Sequence, residues 1–189
     1  VKALYINGID NSLKVAQDLG DKSYCEDREN YGLSIAIGSG CNIRLVEHAN
    51  AYASISRGGS YKDITYVLEL KNSSGEVLES WEDKEGERVV DDQVAYMIWD
   101  ILHDPAARAS LVWGSQSYSY GFVVPGVETA SKTGTTTTTN SNETKDSLMI
   151  SFSSAISTVV WNGNHDGSGL KNSDNSIVRR VVNNYMEGV

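Results

Sequence analysis

A threonine-rich run carrying one lysine and one glycine constrains this chain most: Glu128-Thr129-Ala130-Ser131-Lys132-Thr133-Gly134-Thr135-Thr136-Thr137. Threonine favours extended backbone, because its branched β-carbon crowds a helix and packs well on a pleated surface. Glycine inside a strand removes a side chain and marks a place where something comes close to the backbone. The run therefore predicts a strand over 128–138 that carries a cation, several hydroxyls and a gap. Two more strands follow. Leu148, Ile150 and Phe152 alternate within 146–153, the pattern of a strand with one buried face. Val159, Val160 and Trp161 form a short apolar run within 157–163, as in a central strand. The link at 153–156 is short enough for a hairpin turn. The three strands are expected to pair consecutively as an antiparallel sheet, flanked by a helix from about 175 whose face is Val178, Val181, Val182 and Tyr185.

Upstream, the pattern is mostly helical. Residues 1–7 read as a short helix ended by Gly8, and Ser12 as the cap of a second, with Val15 and Leu19 on one face and Gly20 just past its end. A third helix spans 43–56, with Leu45, Ala49, Tyr52 and Ala53 on one face and Gly58-Gly59 as the stop. His48 on that helix has no neighbour of ligand type at metal spacing and reads as a surface or capping residue. Residues 64–70 and 77–81 read as a hairpin around Asn72-Ser73-Ser74-Gly75. Asp91 or Asp92 caps a helix over 91–104, whose stripe Val94, Met97, Ile98, Ile101 and Leu102 is expected to be core, and Pro105 stops it. The aromatics Trp113, Tyr118 and Tyr120 lie in a loop before the lysine strand and are expected to pack against the helix.

With 189 residues, 40% of them hydrophobic, the chain is long enough for one domain with a core. A formal net charge of -9 argues against nucleic acid and anionic membrane surfaces as partners. The apolar runs all fall short of the roughly 18 residues of a membrane span. Cys25 and Cys41 are too few for a closed zinc site, and the sequence leaves free thiols and a disulfide equally open. Gly38-Ser39-Gly40 lacks the third glycine and the βαβ context of a dinucleotide fingerprint. No metal or cofactor is expected.

Lys132-Thr133-Gly134, then Lys145-Asp146, then Val160-Trp161-Asn162-Gly163-Asn164 stand in order. The set resembles the C-terminal end of the transpeptidase domain of class A (bifunctional) penicillin-binding proteins, in which Lys-Thr-Gly is the third catalytic signature after Ser-x-x-Lys and Ser-x-Asn. The helix reading Asn50-Ala51-Tyr52-Ala53 and its Gly58-Gly59 exit resemble the family too. The resemblance implies an α/β chain with the penicillin-binding protein/β-lactamase-like transpeptidase fold, C-terminal portion: an antiparallel sheet flanked by helices. The first two signatures are expected upstream of Val1, so that 1–189 is the C-terminal portion of one transpeptidase domain. Alone, the chain is expected to be inactive, with helices 43–56 and 91–104 partly uncovered.

By the same resemblance Lys132 and Thr135 are the catalytic contributors: a positive charge near the substrate carboxylate and an oxyanion-hole N–H. Thr133, Gly134, Thr135 and Thr136 are the substrate-binding set, for a D-Ala-D-Ala stem peptide or a β-lactam. The implied partners are that stem peptide, the upstream half of the domain and a glycosyltransferase domain. The implied place is the extracytoplasmic face of the bacterial cell membrane, with the parent anchored by a separate N-terminal segment. A β-lactamase-like hydrolase and a non-catalytic peptide-binding module are the alternatives.

Overall fold

The computed structural model describes residues 1–26, 32–38, 41–108, 124, 126–139, 143–171 and 176–188. Helices α1 (Lys2–Asn7) and α2 (Ile9–Leu19) meet at Gly8. Gly8, rather than Ser12, is the N-cap of α2; the Ser12 hydroxyl lies within the first turn and donates to the Gly8 carbonyl at 2.9 Å. The residue that anchors α2 is Leu13, buried with Cys25 and Ile35, whereas Val15 is 46% exposed. Cys25 and Cys41 form a disulfide beside this cluster.

Helix α3 (Leu45–Ser56) is the pivot of the packing: α2 and helix α4 (Asp92–His103) lie against it, as does the C-terminal sheet. With neighbours on several sides, its most buried residues are Ala51 and Ser54 rather than the expected stripe. His48 is a correction. It is half-buried, with Nδ1 2.6 Å from the buried Asp21 carboxylate, because the turn after α2 folds back onto this helix.

Strands β1 (Ser60–Tyr61) and β4 (Glu87–Arg88) pair and close the base of a lobe. Within it, β2 (Glu69–Lys71) and β3 (Val77–Ser80) form the expected hairpin, shorter than the 64–70 and 77–81 spans. The Asn72 carboxamide oxygen accepts from the Ser74 and Glu76 N–H groups and shapes the turn.

Asp91 caps α4 by accepting from Gln93 N–H at 2.9 Å, as expected. Its apolar stripe is not core: Val94, Met97, Ile98 and Ile101 are 40–65% exposed. The helix presents a different side to the molecule, with Ala95 buried and His103 Nδ1 3.0 Å from the Thr129 carbonyl oxygen. Of the two helices expected to be partly uncovered, α4 is and α3 is surrounded. A short α5 (Pro105–Arg108) starts at the proline that ends α4. Trp113, Tyr118 and Tyr120 lie outside the described residues.

Strands β5 (Ala130–Thr137), β6 (Thr144–Phe152) and β7 (Ser157–Gly163) form an antiparallel sheet in that order. The middle strand is β6, so the Val159-Val160-Trp161 run sits on an edge and stays half-buried to exposed. Both faces of β6 are covered, not one: Ile150 and Phe152 point to the α3 side, and Met149 to the other. Helix α6 (Ser176–Glu187) covers that second side through Val178, Val182 and Met186, spaced by one turn each. Val181 and Tyr185, expected on its inner face, are 48% and 52% exposed.

Candidate active site

The Lys-Thr-Gly segment lies on β5, an edge strand of the sheet. Side chains alternate between faces, and directly paired residues share one. Three rows therefore cross the α3-side face. They are Lys132–Ile150–Val159, Gly134–Leu148–Trp161 and Thr136–Asp146–Gly163. Thr133 and Thr135 fall on the opposite face, beside Met149 and Ser147. Next to them Ser131 and Ser151 exchange a buried hydroxyl hydrogen bond of 3.0 Å. The five expected site residues thus share a strand but divide between its faces, Lys132, Gly134 and Thr136 on one and Thr133 and Thr135 on the other.

Lys132 is exposed, and its ammonium donates to the Thr133 carbonyl. Gly134 is not demanded by the fold. A Cβ there would sit 3.5 Å from the Leu148 Cβ, ordinary van der Waals contact. A strand pays conformational entropy for a glycine, and at half-buried Gly134 the fold would accept a Cβ in ordinary contact with Leu148. An extended peptide laid against that edge would meet backbone N–H and C=O groups there without a side chain between.

The third row explains why Lys145-Asp146 and Trp161-Asn162-Gly163 belong together. Asp146 accepts the Thr136 hydroxyl proton at 2.5 Å with one carboxylate oxygen and the Trp161 indole N–H at 3.0 Å with the other. The indole reaches it by lying across Gly163, where a Cβ would stand 2.4 Å from ring atom Cζ2. Glycine is required there. The sequence signal was available in the spacing, since Trp161 and Gly163 are two apart on a strand and share a face.

Behind Lys132's face, Tyr52 of α3 packs against Phe152 with ring centroids 5.3 Å apart. Burial, assisted by the nearby Asp21 charge, pushes the Tyr52 phenol up to about 12. Among the described residues no group of three or more His, Cys, Asp and Glu is placed to hold a metal ion.

Neither upstream signature has a counterpart before the lysine strand, but both spacings occur after it. Ser168-Gly169-Leu170-Lys171 fits Ser-x-x-Lys, a match the order of the motifs obscures, and Ser173-Asp174-Asn175 fits Ser-x-Asn but lies outside the described residues. A serine and lysine three apart meet only on a helix. Ser168 stands instead in an irregular turn after β7, where its hydroxyl pairs with the Asn164 carboxamide at 3.0 Å.

The site is thus an edge strand bearing a cation, a glycine and hydroxyls, in a sheet backed by α3 on one face and α6 on the other. Residues 3–187 match the family model of the penicillin binding protein transpeptidase domain, and the chain belongs to that family. It is similar to penicillin-binding protein 1A of Mycolicibacterium smegmatis, 29% identical over 125 residues that make up 66% of this chain and 15% of that protein. It is 25% identical to penicillin-binding protein 2a of Streptococcus pneumoniae over 187 residues, 95% of this chain and 24% of the relative. The chain thus spans under a quarter of the length of these relatives. Among solved structures, penicillin-binding protein 1A of Haemophilus influenzae superposes with a TM-score of 0.74 at 18% identity, over 99% of this chain and 32% of that one. PonA1 of Mycobacterium tuberculosis gives 0.70 at 22% identity, over 92% and 49%. At these identities the likeness is one of fold, and it agrees with the mixed helical and antiparallel architecture expected from the sequence.

Proposed function

We propose that this chain supplies the substrate-binding strand of a serine D,D-transpeptidase that binds penicillin and cross-links peptidoglycan stem peptides. The observation that carries the reading is β5 itself: an edge strand with Lys132 exposed on one face and, two residues on, a glycine the fold does not need. A PonA1 structure from Mycobacterium tuberculosis that superposes over 92% of this chain is a complex with penicillin V, which supports β-lactam binding as the assay.

Acyl transfer needs a nucleophile, a base, an oxyanion hole and a group that orients the substrate. In this reading Lys132 attracts the carboxylate of a D-Ala-D-Ala terminus and raises the acidity of hydroxyls near it. Thr133 and Thr135, on the other face of the same edge strand, reach that carboxylate around the strand's outer edge rather than from Lys132's face, and the Thr135 N–H is one oxyanion donor, worth about 3 kcal/mol in related sites. Gly134 lets the peptide lie along the edge as an added strand. The nucleophilic serine and its base belong to the Ser-x-x-Lys and Ser-x-Asn segments of the complete protein, which acts at the extracytoplasmic face of the membrane beside a glycosyltransferase domain. Among the described residues no helix is long and apolar enough to cross a membrane.

Labelling of the full-length protein with fluorescent penicillin tests this. Slowly reversed covalent labelling is expected, lowered at least about tenfold by Lys132→Ala, equivalent to about 1.4 kcal/mol of transition-state stabilisation. Equal rates for wild type and variant refute the role of the strand. Rapid turnover of the drug indicates a hydrolase, and no labelling a binding module. The 189-residue chain by itself is expected to take no label.

A further inference from the structure

We propose that Asp146 is a positioning residue of the Lys-Thr-Gly strand and that it withdraws Thr136 from carboxylate recognition; the proposal rests on the transpeptidase reading above. A hydroxyl has one proton to donate, and the Thr136 proton is directed to Asp146 at 2.5 Å. A ligand carboxylate arriving at Thr136 would meet oxygen lone pairs, with the Asp146 carboxylate directly behind them. Carboxylate has only acceptors to offer, so the encounter is repulsive. Anion binding is thereby confined to the segment from Lys132 to Thr135, and Thr136 is a strut.

The position of the strut matters. Among the described residues strand β5 is hydrogen-bonded on one side only, and its regular register ends between Thr136 and Thr137. An edge strand next to such an irregularity loses ladder hydrogen bonds and bends. Asp146 stands on the central strand β6, directly opposite Thr136, at the last regular pair. It is held in turn by Trp161, whose ring can reach it only because Gly163 has no side chain. One carboxylate therefore ties all three strands together two residues beyond Gly134. Loss of that tie frees the end of the strand that aligns the ligand, without touching the ligand.

The test uses the full-length protein, benzylpenicillin, and benzylpenicillin methyl ester, which lacks the carboxylate charge. Thr136→Val and Asp146→Ala are each expected to slow acylation by benzylpenicillin about fivefold to tenfold and to narrow its preference over the ester. The double variant should be no slower than either single one, because both remove the same contact. Thr136→Ser keeps the hydroxyl and should acylate at the wild-type rate. Trp161→Phe, which keeps a ring and loses the N–H, should give a smaller loss. Amide exchange at 134–137 should accelerate in both single variants while that of β6 holds, a readout that needs no ligand and separates strand fraying from general unfolding. If Thr136 instead binds the carboxylate directly, Thr136→Val slows acylation while Asp146→Ala leaves it unchanged or faster. That result, losses that multiply in the double variant, or unchanged exchange at 134–137 overturns the proposal. A wild-type protein that takes no label overturns the transpeptidase reading and this inference with it; a labelled wild type with unaffected variants overturns this inference alone.

Discussion

The C-terminal sheet and the hairpin lobe are both antiparallel, both built from short runs with β-branched and aromatic residues, and they differ in what lies above and below. In β6, six of nine residues are buried, and the strand is hydrogen-bonded to a neighbour on each side. In β2 and β3 every residue is exposed, including Leu70, Val77 and Leu78. The sheet has α3 on one face and α6 on the other, whereas among the described residues the hairpin is held at its base by the β1–β4 pair. A two-stranded ribbon without a covering layer is marginal in water, and a third strand with a packed face changes that. The well-packed strands thus lie directly behind β5, where a candidate binding strand would need support that stays still.

The largest test is a pair of truncations. Phe152→Ala in the sheet should cost about 3–5 kcal/mol in urea unfolding, as for other buried aromatics. Leu68→Ala, at 66% exposed in the lobe, should cost at most about 0.5 kcal/mol. Comparable losses would mean that the lobe is packed in solution and the contrast fails.

A second test concerns the α3 side of the sheet. Tyr52 has its phenol pushed from 10.0 up to about 12, by burial first and by Asp21 second. The folded value is raised above the unfolded one, so the contribution is fully present below about pH 10 and is lost as pH rises towards 12. Roughly 2–3 kcal/mol of stability should disappear across that window. Tyr52→Phe should remove most of that dependence, and an unchanged alkaline profile in the variant would show that Tyr52 is not sealed against Phe152.

The smallest expected effect sharpens the picture at the open end of the sheet. Gly163→Ala introduces a Cβ 2.4 Å from the Trp161 ring and should cost about 1–3 kcal/mol as the ring is displaced. Trp161 fluorescence should redshift as its indole N–H turns from Asp146 to water. Gly134→Ala, with 3.5 Å to the Leu148 Cβ, should be neutral or stabilising by up to about 1 kcal/mol. On the proposed function, the same Gly134→Ala in the full-length protein should still impair penicillin acylation, because the added methyl would stand between the strand and a peptide laid along it.

The element types and their order were legible in the residues because they depend on neighbours close in the chain. Threonine and valine runs make strands, Asp91 caps α4 from one residue away, and the turn at 153–156 is too short for anything but a hairpin. The order of Lys-Thr-Gly, Lys-Asp and Trp-x-Gly likewise carries the resemblance to the family in the sequence alone. Which side of each element is buried was not legible, since periodicity shows a stripe without showing what covers it. The α4 stripe from Val94 to Ile101 is the better helix face by pattern, yet the molecule packs on Ala95. In α6, Met186 takes the inward place expected of Tyr185. The strut at Asp146 joins residues 10 and 15 positions away in the chain, a contact that exists only once three strands are in register. Local sequence decides backbone conformation through sterics within a few residues. Long-range pairing is decided by closing loops and filling volume, and only the assembled fold shows how that competition ended.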